Sequence, residues 1–335
     1  MKELLFGTAG IPLSTKAQGT IEGIKQVRIL GLDAMELEFV QNVNISEKMI
    51  TEVRKTAEQE NVVLTCHGQY YVNLASPEKA KVEASKKRMW LAAKTAADCG
   101  CWSVVWHMAF YQGQPKEKVF EQVKTVVKEL VKKLKDYGSK VWVRPETTGK
   151  QSQWGDLNEC IRLAQEVEQV LPCIDFAHMH AREGKNNSFD DFKNNLALVE
   201  KGLGKEALQN MHCHVSGINY TEKGERNHLN LPQSDLKYKE LLKALKEFKA
   251  KPADWVLDPF LGSGSTLVGA RNAGVKGAGF EVNPFLAQLS RVKMHGGYDV
   301  QKLKSRVRAL FQAVRQNKTI EISMPALMIT EKLFR

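Results

Sequence analysis

Short apolar runs alternate with longer amphipathic stretches along the first 250 residues. The runs are LLFGTA from Leu4, AMELEFV from Ala34, VVLTCHG from Val62, SVVWHM from Ser103, KVWVRPE from Lys140, CIDFAH from Cys173 and QNMHCHV from Gln209. Each has the length and apolar character of a buried strand. Between them apolar residues recur every three to four positions, as in EKVFEQVKTVVKELVKKLKDYG, where Gly138 supplies a helix stop. Seven strand–helix units predict an α/β fold of the TIM (β/α)8 type, one unit short of closure. Functional side chains are then expected at the C-terminal ends of the strands.

Around Lys249, Lys251 and Pro252 the rhythm changes. WVLDPF from Trp255 reads as a strand, STLVGARNAG from Ser265 as a helix and GAGFEVNP from Gly277 as a second strand. This is a βαβ-like unit complete in itself. The chain thus divides into a barrel over 1–250 and a Rossmann-like extension over 251–335. Trp255–Phe260 serves either as the eighth barrel strand or as the first strand of a separate module. Closure is the favoured expectation, because an open barrel leaves two unpaired edges.

Charge adds a partner to this picture. The chain carries 49 Lys and Arg against 38 Asp and Glu, a net charge of +11. The excess is uneven, with 13 basic and 6 acidic residues after Ala250. A basic balance of this kind favours a polyanionic partner. No apolar run approaches the roughly 20 residues of a membrane span, and the N-terminus lacks the features of a secretory signal. A cytoplasmic monomer is expected. The six cysteines lack CxxC spacing and fit reduced thiols rather than a disulfide framework.

The histidines carry the chemistry. His67, His107, His178, His180, His212, His214 and His228 fall at or just beyond strand ends, and only His295 lies elsewhere. Clustering at one rim, with Glu146 and Asp175 in equivalent positions, points to metal ligation. Imidazole and carboxylate donors suit zinc, or manganese where oxygen dominates. A sugar isomerase or epimerase would use similar residues at strand ends, but leans more on carboxylates.

HGQYYVNLASP at His67, VWHMAF at His107, PETTGK at Pro145, CIDFAH at Cys173 and NMHCHVSG at Asn210 resemble endonuclease IV, over residues 1–250. The resemblance implies a zinc-dependent DNA-repair endonuclease that cuts duplex DNA 5′ to abasic sites. It implies two to three ions: one on His67, His107 and Glu146, a second on Glu146, Asp175 and His212, and a third on His178 and His228. Glu146 would bridge two of them beside the catalytic water, and Tyr70 and Asn73 would contact DNA. Two family carboxylates are absent. Glu225 stands beside the place of one, and Asp258 near the place of the other.

From Val256 to Pro284 the chain also resembles the S-adenosylmethionine-binding motif of amino-methylating DNA methyltransferases. The matching positions are Asp258, Gly262, Gly264 and Glu281, glycines at a strand-to-helix turn with an acid about 20 residues later. The DPPY-type tetrapeptide of those enzymes is missing, so the tail reads as an incomplete module. A methyltransferase-related protein and a non-catalytic DNA-binding relic are the alternatives to the endonuclease.

Overall fold

A computed structural model describes residues 5–17 and 19–247, and beyond them the strands at 255–258 and 276–279. All seven predicted barrel strands form. They are β1 (Gly7–Ala9), β2 (Ala34–Glu38), β3 (Val63–His67), β4 (Ser103–Trp106), β5 (Trp142–Pro145), β6 (Cys173–Asp175) and β7 (His212–His214). The first five make one parallel sheet in chain order, and β6 pairs in parallel with β7. Parallel bridges Val143 to Val170 and Glu146 to Cys173 join the two sets, so the strands run 1 to 7 around the wall.

The connecting helices are α1 (Thr20–Ile29), α2 (Glu47–Gln59), α3 (Lys79–Asp98), α4 (Lys116–Asp136), α5 (Leu157–Glu166), α6 (Phe176–Glu183), α7 (Phe189–Leu203) and α8 (Lys205–Gln209). In α4 the residues Val119, Val123, Val127, Leu130 and Leu134 are all buried. Their three- and four-residue spacing puts them on one stripe against the sheet. Gly138, just past the end of α4, takes φ 80°, the left-handed conformation a helix stop requires. One apolar cluster joins the sheet to α1–α5. A second, built on Ile174, Phe176, Phe192 and Leu196, seats α6 and α7.

A hairpin follows β7, with β8 (Gly217–Thr221) antiparallel to β9 (Gly224–Leu229). The sequence reading did not foresee it. Helix α9 (Tyr238–Glu247) then packs on α7. The strand expected at Trp255 forms as β10 (Trp255–Asp258) and pairs in parallel with β11 (Lys276–Gly279), as a βαβ step requires. Among the described residues β10 has no pairing with β1 or β7. Barrel closure through Trp255–Phe260 therefore stays an expectation. Gly262, Gly264 and Glu281 lie outside the described residues, as does the side chain of Asp258. No described helix is long and apolar enough to cross a membrane.

Inside the barrel the lower layer is polar rather than the branched aliphatic filling usual for this architecture. Thr65 Oγ1 donates to Glu36 Oε2 at 3.0 Å, and Ser103 Oγ meets His212 Nδ1 at 3.0 Å. Arg144 is fully buried and donates to the carbonyls of Pro172 and Asn210. Its guanidinium lies over the ring of Trp102. Burial pulls the Arg144 pKa down to about 10. Arg144 thus braces the barrel floor and is not available to a phosphate.

Candidate metal centre

Glu146 follows directly on β5 and is 1% exposed, at the centre of the barrel mouth. Its amide donates to Trp106 O at 3.0 Å, tying it to β4. One carboxylate oxygen, Oε2, lies 3.1 Å from His67 Nε2 and 2.9 Å from His107 Nε2. The other, Oε1, lies 2.8 Å from His214 Nδ1. The other ring nitrogen of His67 sits 2.8 Å from Gly68 O, which fixes Nδ1 as its donor and leaves Nε2 for the carboxylate or a metal.

Gly68 is required for this placement. A Cβ on residue 68 would lie 1.8 Å from Nε1 of the buried Trp106.

Asp175 ends β6 and begins α6. Its Oδ1 accepts the His178 amide at 2.7 Å, an N-cap that sets His178 one turn above it. His178 Nδ1 lies 3.0 Å from Thr147 O, so its Nε2 carries no proton when the ring is neutral. That Nε2 is buried without a hydrogen-bond partner, and Glu225 Oε2 on the hairpin stands 3.6 Å away. His228, also on the hairpin, has its ring 5.0 Å from that of His178, with Nδ1 held by Ser216 Oγ at 2.7 Å.

Three overlapping donor groups result: His67, His107 and Glu146; Glu146, Asp175 and His214; and Asp175, His178 and His228. Within each group the donor atoms lie within 4.8 Å of one another. The structure therefore brings together all but one of the ligands expected from sequence. The exception is His212, which lies one layer deeper, while His214 stands beside Glu146 and Asp175. Glu225, expected as a substitute carboxylate, is at the third group.

The sequence reading missed Glu36 and Glu38 on β2. Glu36 lies 2.9 Å from His214 Nε2 and 3.4 Å from His212 Nε2. Alternation along β2 from a buried Glu36 was the available signal, because two carboxylates spaced by two residues point to the same side.

Burial alone would raise the carboxyl pKa values here, but the surrounding imidazoles outweigh it. His214, with His212 and His67, holds Glu36 at about 2, and His107 and His214 hold Glu146 well below its ordinary range. Conversely, burial would lower His67, yet the hydrogen bond and charge of Glu146 raise it to about 9. At Glu38 burial and the charge of Glu36 outweigh the relief from His67 and His214 and lift it to about 7. The mouth is a dense set of alternating charges.

Tyr70 stands at the rim, half exposed, with its ring 5.3 Å from that of His67. Tyr71 beside it is also exposed. Asn73 is occupied within its loop: its amide donates to Gln112 Oε1 and its oxygen accepts from the backbone of Phe110. Tyr111, Trp154 and Arg182 are structural. Tyr111 donates to Glu159, Trp154 is fully buried, and Arg182 ties together the carbonyls of Thr148, Lys150 and Gln153.

A family model described as xylose isomerase-like TIM barrel matches residues 24–260, most of the chain. The chain belongs to this family. An uncharacterized protein of Methanocaldococcus jannaschii is 40% identical over 248 residues, covering 74% of this chain and 89% of the relative. A probable endonuclease 4 of Aquifex aeolicus is 26% identical over 173 residues, 50% of this chain and 59% of that protein. A type II methyltransferase of Methanocaldococcus jannaschii matches only 51 residues at 43% identity, 15% of this chain and 9% of its own length. This short match agrees with the methyltransferase resemblance noted from the sequence.

Among solved structures, endonuclease IV from Thermus thermophilus aligns with a TM-score of 0.56 at 17% identity, covering 87% of this chain and 98% of that one. A D-tagatose 3-epimerase-like protein aligns at 0.58 and 16%, covering 93% and 100%. Both establish the fold.

Proposed function

We propose that this chain is a metal-dependent phosphodiesterase of the endonuclease IV kind, incising duplex DNA 5′ to abasic sites. The observation that carries the reading is the sharing of Glu146 and Asp175 between neighbouring donor groups, which lines up three groups across one mouth. A sugar epimerase needs no such row. The relationship to a probable endonuclease 4 supports the same reading.

The residues present fit metal ions. His178 Nε2 is a buried nitrogen with no partner, and the donors are imidazoles and carboxylates, the set zinc prefers, with manganese the oxygen-favouring alternative. His67, His107 and Glu146 would hold one ion, Glu146, Asp175 and His214 a second, and His178 and His228 a third, with Asp175 and Glu225 beside them. Bound divalent ions supply an activated water and neutralise phosphate oxygens. The protein's own part is positional. Gly68 O and Thr147 O orient His67 and His178, and Ser216 orients His228. Tyr70 and Tyr71 offer exposed rings at the rim to a base or sugar turned out of the duplex.

The test is incision of a duplex carrying one abasic site, by the metal-loaded full chain and by Glu146→Gln. Incision by the wild type is expected, and Glu146→Gln should lose more than the roughly 100-fold that loss of an outer-shell partner costs. Metal uptake without incision, joined to epimerisation of a ketose, would overturn the reading in favour of the sugar enzymes. The S-adenosylmethionine reading of the tail is a separate proposal, tested by calorimetric titration of that cofactor.

A further inference from the structure

The polar layer beneath Glu146 has no role in the reading above, apart from its contact with His214. Three donors gather there, Cys173 of β6 and His212 and His214 of β7, with Glu36 of β2 against the two imidazoles. Cys173 and His212 are register partners across the β6–β7 pair, and both face inward with their neighbours two residues on. Donor atoms of Cys173, His212 and His214 lie within 4.8 Å of one another.

The orientation of each donor is set by a second group. Ser103 Oγ occupies His212 Nδ1 at 3.0 Å, turning Nε2 toward Glu36. Glu146 Oε1 occupies His214 Nδ1 at 2.8 Å, so His214 Nε2 points the other way, down into the barrel. Thr65 Oγ1 holds Glu36 Oε2 at 3.0 Å. Outer-shell partners of this kind accompany metal-binding histidines and carboxylates.

His214 Nε2 is buried and has no hydrogen-bond partner, although Glu36 Oε1 is 2.9 Å away, because that contact lacks hydrogen-bond geometry. Two donors this close and not aimed at each other are what a shared ion between them requires. Glu36 Oε1 lies 2.9 Å from His214 Nε2 and Oε2 lies 3.4 Å from His212 Nε2, each near the roughly 3.3 Å edge of a tetrahedron with metal–ligand bonds of about 2.0 Å.

We propose that Glu36, Cys173, His212 and His214 form a further metal site inside the barrel, directly beneath the mouth, and that it takes zinc. One thiolate, two imidazoles and one carboxylate make a closed four-donor set of the structural kind. The thiol would lose its proton to solvent on binding, since thiolate is the ligating form. His214 is the wall between this site and the upper groups, presenting one nitrogen to each; with both sites filled it would be an imidazolate, its ring protons also released to solvent.

The sulfur makes the site distinguishable, since the three upper groups contain none. The full chain is loaded with Co2+ and examined by near-ultraviolet absorption for thiolate-to-cobalt charge transfer. The zinc form is examined by X-ray absorption for a sulfur neighbour at about 2.3 Å. Wild type is expected to give both signals. Cys173→Ser should lose both and bind one ion fewer, and His67→Ala, altered only in the mouth, should keep them. A wild-type protein saturated with metal but without a sulfur signature would overturn the proposal, as would unchanged stoichiometry in Cys173→Ser. Incision activity in a protein with no sulfur signature would reject the interior site alone. A sulfur signature in a protein that does not incise would support the site while rejecting the endonuclease reading.

Discussion

Gly68→Ala tests how tightly the mouth is built on the packing beneath it. The added methyl would lie 1.8, 2.3 and 2.5 Å from Nε1, Cε2 and Cδ1 of Trp106. Ordinary carbon contacts fall at about 3.5–4.0 Å, so the indole must retreat by roughly 2 Å. Trp106 is fully buried, in an interior as dense as an organic crystal, and has little room to move. Overpacking of this severity belongs at the upper end of the usual range, about 3 kcal/mol. At about 2–4 °C per kcal/mol, the melting temperature should fall by roughly 6–12 °C.

The damage should also reach the site. Trp106 O accepts the Glu146 amide, Gly68 N donates to Val105 O, and Gly68 O orients His67. Metal affinity should therefore drop together with stability. Gly138→Ala is the control. Nothing lies within 4 Å of its added Cβ, so only the left-handed φ of 80° is penalised, by about 1–2 kcal/mol, with metal affinity unchanged. The assays are thermal unfolding and zinc titration of all three proteins. A Gly68→Ala protein melting within about 1 °C of wild type and binding zinc as well would refute the reasoning.

Metal uptake should release protons near neutral pH. The carboxylates raise His67 to about 9 and push His178 up, and Cys173 with Glu36 and Glu146 pushes His214 up, so these imidazoles carry a proton that ligation must displace. Affinity should then rise with pH up to about 9, and calorimetry in buffers of different ionisation enthalpy should report proton release. Uptake without release would contradict the charge pattern. Asp235→Ala should loosen the β8–β9 hairpin, because Asp235 joins Tyr220 at 2.8 Å to His180 at 3.0 Å. Asp235 is half exposed, so the expected cost is only about 1 kcal/mol. Amide exchange in the hairpin should accelerate and ion binding near His228 should weaken, and unchanged exchange would show that other contacts hold the hairpin.

The seven barrel strands were legible because each lies in a short apolar run between amphipathic helices, and the local and global preferences agree. His67, His107, Glu146 and Asp175 lie where barrel strand ends collect at one rim, whereas His178 and His228 were named as ligands through the endonuclease IV resemblance. The hairpin was not legible. GINYT and GERNHL are largely polar and only partly buried, so they lack the apolar alternation that marks a strand. They are held instead by cross-strand pairing, by the Gly149 carbonyl that accepts the Glu225 amide, and by the Tyr220–Asp235–His180 network.

His212 and His214 mark the point where sequence patterning runs out in principle. Strand alternation puts residues two apart on the same side, so both face the barrel interior and spacing cannot rank them. What separates them is depth, which comes from the stagger of neighbouring strands. Cys173 pairs with His212, whereas Asp175 pairs with His214, and Glu146 bridges to the β6 strand at Cys173. The tilt that closes a barrel sets residues of equal height on successive strands at shifted positions. Glu146 therefore meets His214 rather than the histidine that a motif alignment selects. The same stagger drops His212 and Cys173 into the layer below, where a buried imidazole needs polar partners. A single shift in strand register thus decides both which histidine completes the mouth and which donors gather beneath it.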